Sequence, residues 1–196
     1  MKDTPLGQAF EPENVFTVGA LPAGFDRVLL LPPTDPSGAL LSSELTDAFL
    51  SSLNATSRFQ VISAADWQPT VSSLKDNSPL LSNQPLSGET RAVAARMGAD
   101  GILELHLSHF RGYKPLRIGV KSRLIDLQAE QGKVLWEIDE VFDAGQRSVA
   151  TGARRYAEQY IEQRYPLQTS YSVLMSPIRF AGYVGYEIFN TLPSQP

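Results

Sequence analysis

ADGILELHLSHF (residues 99–110), RIGVKSRLIDL (117–127) and GKVLWEIDEVFD (132–143) decide the fold of this chain. In the first segment Leu103, Leu105 and Leu107 alternate with Glu104, His106 and Ser108. In the second, Ile118, Val120 and Leu124 alternate with Arg117, Lys121 and Arg123. In the third, Val134, Trp136 and Ile138 alternate with Leu135, Glu137 and Asp139. Side chains on a strand point to opposite faces in turn, so this period of two predicts three strands with one apolar and one polar face. The short connections 111–116 and 129–133 carry Gly112, Pro115 and Gly132, and predict an antiparallel meander.

Working outward, Arg27-Val28-Leu29-Leu30-Leu31-Pro32 is a near-continuous apolar run, the pattern of a strand covered on both faces. Leu41, Leu45, Ala48, Phe49 and Ser52 then recur at helical spacing up to about Asn54, and Arg58–Ser63 reads as a second strand. Strand, helix, strand is the crossover that makes a parallel pair. Residues 69–87 carry three prolines and many polar residues, and predict a long loop. Ser87 opens a helix through Arg96, with Val93, Ala94 and Met97 inward and Gly98 as its C-terminal cap. Two helices end the chain. Val149, Ala153, Tyr156, Ala157 and Tyr160 share a face of the first, and Ser176-Pro177 starts the second, with Ala181, Val184, Ile188 and Leu192 as its stripe. Gly182 and Gly185 in that helix predict a close backbone approach. The expected fold is α/β (α+β): a mixed sheet of about five strands, helices mainly on one face, a flexible tether over residues 1–24 and a single domain over 25–196.

The composition, 42% hydrophobic and 19% charged over 196 residues, is that of a globular domain able to bury a core. A net charge of −4 with interspersed basic residues offers nothing to nucleic acid. The chain has no cysteine, which excludes disulfides and thiolate chemistry. No Gly-x-Ser-x-Gly elbow, Walker loop or Gly-x-Gly-x-x-Gly turn is present. His106 and His109, three apart on a strand, are expected on opposite faces and so not on one metal. Glu137 and Asp139 share a face, but so do Arg117, Lys121 and Arg123 on the neighbouring strand, and charge balance accounts for all five. No catalytic, metal or cofactor-binding set is expected. Two surfaces remain: that polar sheet face, and the tyrosines Tyr156, Tyr160, Tyr183 and Tyr186, a residue type favoured at interfaces.

The order of motifs is similar to one periplasmic family. RVLLLPPTDPSG (27–38), LLSSELTDAFLSSL (40–53), SRFQVISAADW (57–67), MGADGILELHL (97–107) and GKVLWEIDEVFD (132–143) together resemble the α/β domain shared by the curli-secretion lipoprotein, the Pel-polysaccharide export lipoprotein and the N-terminal domain of TolB. The resemblance spans Arg27–Asp143 and brings no catalytic residues. It implies a non-enzymatic domain of the Gram-negative periplasm that assembles with itself or other envelope proteins in an export or assembly system. It also implies an outer-membrane anchor, by a lipidated cysteine upstream of Met1. A small-ligand or glycan-binding module using the 69–87 loop and the polar sheet face is the alternative expectation.

Overall fold

The computed structural model describes residues 7–63, 86–129, 132–163 and 169–195. Six strands form one sheet in the order β1-β6-β5-β4-β2-β3. They are β1 (Val15–Thr17), β2 (Arg27–Leu30), β3 (Gln60–Ser63), β4 (Gly101–Arg111), β5 (Arg117–Asp126) and β6 (Lys133–Asp143). β2 runs parallel to β3 and β4, while β4, β5, β6 and β1 are successively antiparallel. Helix α1 (Ser43–Ala55) makes the crossover from β2 to β3, and α2 (Gly88–Arg96) leads into β4. Helix α3 (Arg147–Tyr156) runs on as a wider π turn to Ile161. A 3-10 turn (Ser170–Met175) then precedes α4 (Pro177–Asn190). The expected loop at 69–87 lies outside the described residues up to position 85.

β2 is apolar throughout because it is central and covered twice. Val28 and Leu30 join the main core under α1, α3 and α4, while Leu29 joins Leu31, Val93, Ala94, Met97 and Ile102 beneath α2 on the other face. Among the described residues, helices therefore lie mainly on one face, with α2 on the second. Both N-caps are formed as the sequence implies: Ser87 Oγ accepts from Thr90 N at 3.1 Å, and Ser176 Oγ from Arg179 N at 3.4 Å.

The join between the parallel and antiparallel halves is made by Met97–Asp100. Gly98 has φ +69°, the left-handed conformation that ends α2 without a Cβ penalty. Asp100 then accepts from the amides of Asp26 and Arg27 at 3.0 and 2.9 Å, and its own amide donates to Arg27 O at 2.8 Å. The carbonyl of Asp100 accepts from Leu127 N at 2.9 Å. One short turn thus fixes β4 against the start of β2 and the end of β5.

The expected tether is in part structured. β1 pairs Val15, Phe16 and Thr17 with Ile138, Glu137 and Trp136, which is why the sheet has six strands. Phe10 packs edge-on to Phe142 at 5.0 Å, and Leu21 is buried. The β1 pairing covers a β6 edge that would otherwise expose unpaired backbone.

The close helix approach is at Gly185, where a Cβ would lie 2.8 Å from Ser52 Cβ and 3.3 Å from Phe49 Cδ1. Ser52 Oγ donates toward Ala48 O and Gly182 O at 3.1 and 3.0 Å, which ties α1 to α4. Gly152 meets a second constraint. A Cβ there would lie 2.5 Å from the hydroxyl oxygen of Tyr183, which is fully buried and has no hydrogen-bond partner among the described residues. Gly152→Ala is expected to destabilise by about 1–3 kcal/mol through overpacking. Tyr183→Phe, which removes an unsatisfied hydroxyl, is expected to be neutral or stabilising and to restore most of the loss in the double variant. Urea unfolding of the four proteins measures the coupling, and simple additivity would contradict this account.

Candidate functional site

Two β-bulges rearrange the faces that alternation predicts. Between β5 and β6 the register shifts so that Leu124 partners Trp136 while Ile125 partners Val134, which leaves Leu135 as the extra residue. Leu135 is buried in the main core with Trp136 and Ile138, so the simple alternation of Val134, Trp136 and Ile138 does not hold. In β4 the shift between Leu107 and His109 gives His109 the partner Gly119, whereas His106 faces Lys121. Gly119 and Lys121 lie on one face, so the two histidines share it, contrary to the strict period of two. His106 is buried and bonds Thr34 Oγ1 at 2.9 Å, and burial lowers its pKa. Among the described residues no three metal-ligating side chains gather.

On the polar face Arg123 stands opposite Glu137 and Lys121 opposite Asp139. Lys121 Nζ approaches Asp139 at 3.9 Å, a weak contact. Arg123 turns the other way. Its Nε and Nη2 donate to Glu104 Oε2 at 3.1 and 2.8 Å, and Glu104 is only 1% exposed. Burial raises the Glu104 pKa against the attraction of Arg123, and Glu137 raises it further. Arg117 pairs with Asp143 at 3.6 Å, and Arg111 reaches the same carboxylate at 3.5 Å. The five polar-face residues therefore do share a surface, but Arg117 and Arg123 are held by carboxylates of this chain and do not stand free for a ligand.

The buried pair makes a pH prediction. Removing Arg123 leaves Glu104 with its burial and nothing to offset it, a loss of about 3–5 kcal/mol at neutral pH for Arg123→Ala. A carboxyl whose folded pKa is raised keeps its stability below the unfolded value and loses it as pH rises toward the folded value. The deficit of Arg123→Ala is thus expected to shrink between pH 7 and pH 4 in denaturant titrations. Glu187, which burial and Glu11 push up to about 7, titrates in both proteins and cancels in the difference. A deficit independent of pH would contradict the assignment.

The tyrosines divide. Tyr183 belongs to the core, with 0% exposure and Phe142 and Phe180 at 6.0 and 5.8 Å, so it is not a surface residue as its grouping with the others implies. Tyr156, Tyr160 and Tyr186 come together instead. Their ring centroids are 5.2 Å (156–160), 5.3 Å (156–186) and 5.1 Å (160–186) apart, with tilts of 41–50°. The Tyr160 hydroxyl donates to that of Tyr186 at 3.4 Å, and this contact with burial pushes the Tyr186 pKa up to about 12. They wall a cleft of about 480 Å³ between α1, the end of α3 and α4. Its floor is made of small residues, Ala48, Ser52, Ala55 and Gly182, and its rim carries Ser51, Thr56, Arg179 and Asn190.

Sequence reading misses the rim. The signal for it is a helical stripe: Arg179, Gly182, Tyr186 and Asn190 lie at steps of three, four and four along α4, beside the apolar stripe that enters the core.

A third feature is apolar. The 110–116 hairpin carries Phe110 and Tyr113, the latter 74% exposed, and Gly112 lies close to Pro177 at the start of α4. Met175, 58% exposed, and Ile178 flank that proline. Phe110 also borders a groove of about 350 Å³ with Leu40, Leu41 and Leu45.

No family model matches the sequence, and no curated protein matches it at a significant level. Solved structures do show likeness. The PelC dodecamer from Paraburkholderia phytofirmans is 13% identical, over 92% of this chain and 96% of that one, with a TM-score of 0.47. Lipoprotein GNA1162 from Neisseria meningitidis is 15% identical over 72% and 97%, with a TM-score of 0.42. The LpoB C-terminal domain from Salmonella enterica is 17% identical over 64% and 85%, with a TM-score of 0.43. At these identities and TM-scores the likenesses carry nothing about what this chain binds.

Proposed function

We propose that this protein is a non-enzymatic structural component of a cell-envelope export or assembly system, located in the periplasm, which assembles with itself or with other envelope proteins. The observation that carries the assembly role is the apolar end formed by the hairpin and the start of α4. Tyr113, Phe110, Met175, Ile178 and Leu40 are large, exposed and neighbouring, beside a recess bordered by Leu41 and Leu45. A protein surface that gathers such groups marks a contact site, because their burial is worth about 25 cal/mol per Å² removed from water. The envelope setting is supported by the motif series from Arg27 to Asp143, whose strands, helices and Gly98–Asp100 turn all fall within one contiguous unit of the fold.

Light scattering on the purified chain is expected to show a defined oligomer, or a defined complex once the envelope partner is supplied. Tyr113→Ser with Met175→Lys is expected to weaken that association by about tenfold or more, with unfolding curves unchanged because both residues are exposed. A strict monomer at high concentration that also forms no complex with envelope proteins, or recovery of the native protein in the cytosolic fraction, would contradict the proposal.

A further inference from the structure

The tyrosine cleft lies outside that assembly surface except where Ile178 borders both, and its chemistry is different. Its wall is aromatic, its floor small and its rim hydroxyl-rich, so a ligand seated there meets ring faces on one side and hydrogen-bonding groups on the other. Among the described residues, Arg179 is the one charged residue lining the cleft, in a chain of net charge −4. Among the described residues no carboxylate lines the cleft and no ion pair engages its guanidinium. That separates it from Arg111, Arg117 and Arg123, each of which has a carboxylate within 3.6 Å. A planar guanidinium left free beside an open aromatic wall suits a carboxylate, which it can take through two parallel hydrogen bonds.

We infer that the cleft is a saccharide-binding site for a uronic-acid unit of an acidic glycan. The sugar's apolar ring face would rest on Tyr160, which is 39% exposed, and on Tyr186, while its carboxylate would meet Arg179. Ring hydroxyls can meet Ser51, which bonds no other described residue, and the remaining hydrogen-bonding capacity of Thr56 and Asn190, which already bond Leu53 O and Tyr186. The volume of about 480 Å³ lies within the range of small-ligand sites. The polar sheet face, which sequence analysis puts forward for a glycan, has its arginines occupied. The cleft has both the aromatic wall and the free cation.

Calorimetric titration of the full chain with a galacturonate trimer tests this. Saturable binding is expected, and it should weaken about tenfold or more for Tyr160→Ala and for Arg179→Gln, the loss of a charged hydrogen-bonded contact. The methyl-esterified trimer should bind correspondingly less well to the native chain and equally to native and Arg179→Gln. Arg179→Gln gives up no described side-chain contact, and its unfolding curve should overlay the native one. Tyr160→Ala gives up two ring contacts and is compared at a temperature where its unfolding curve shows it fully folded. Absence of saturable binding, unchanged affinity in either variant, equal binding of the esterified trimer by the native chain, or tighter binding of an acidic oligoglutamate peptide at the same residues would overturn the inference. Each of these outcomes leaves the assembly role untouched, because that role is read from Tyr113 and Met175 by light scattering.

Discussion

The structure depends on the carboxylate of Asp100 holding the amides of Asp26 and Arg27. Parallel β2 and antiparallel β5 both flank β4, and the two pairings meet at the residues where β4 begins. A parallel pair needs a long crossover, so β2 and β4 are brought together by residues some seventy positions apart, at an entropic cost that local pairing does not meet. A charge-assisted clasp at the first residue of the pair fixes the register there. Gly98, at φ +69°, makes the clasp reachable by turning the chain out of α2 within two residues. A one-residue slip at this point would exchange Leu103 and Leu105 with Glu104 and His106 between core and polar face. The short Gly-Ala-Asp sequence is in that sense a register device, which is why a motif series containing it speaks for the fold more than for any activity.

Much of this architecture could be read from periodicity. The three meander strands, the strand-helix-strand start, both serine N-caps and the inward faces of α2 and α4 follow from residue spacing, because burial of apolar side chains enforces that spacing over many residues. Glu104 and Arg123 fall on the polar face for the same reason. What spacing does not encode is which carboxylate an arginine chooses. Arg123 stands opposite Glu137 by register yet bonds Glu104 on the strand to its other side, where burial strengthens the interaction.

Two of the departures share one cause, a single residue that breaks a period. Leu135 enters the core because a bulge places it beside Trp136, and His109 joins the face of His106 because another shifts β4. Neither extra residue is a glycine or proline, although Gly119 stands opposite the β4 bulge, where a Cβ would lie 2.5 Å from Ser108 Oγ. The arm before Leu21 is a different case. Val15–Thr17 is too short to show alternation, and its pairing with β6 depends on an edge that exists only once the meander has formed. Position in the C-terminal third groups Tyr183 with the other tyrosines. Phase along α4 separates it: the step from Tyr183 to Tyr186 carries the chain from the core to the cleft wall.

The glycines of α4 connect stability to the cleft. At Gly185 the missing side chain lets α1 come against the helix, with Ser52 and Phe49 where a Cβ would stand. One turn earlier Gly182 offers its carbonyl to Ser52 and its bare backbone to the cleft floor, where a Cβ would lie 3.3 Å from the Tyr156 hydroxyl. Each glycine in a helix interior costs about 1 kcal/mol relative to alanine. At Gly185 the tight helix pairing offsets that cost. At Gly182 the geometry offers less in return, since a neighbouring tyrosine could yield by a few tenths of an ångström. The residue is better explained by what it leaves open: a recess whose depth is set by the absence of a methyl group and whose walls are the three tyrosines. Core packing alone therefore accounts for one glycine of the pair, and the shape of the cleft accounts for the other.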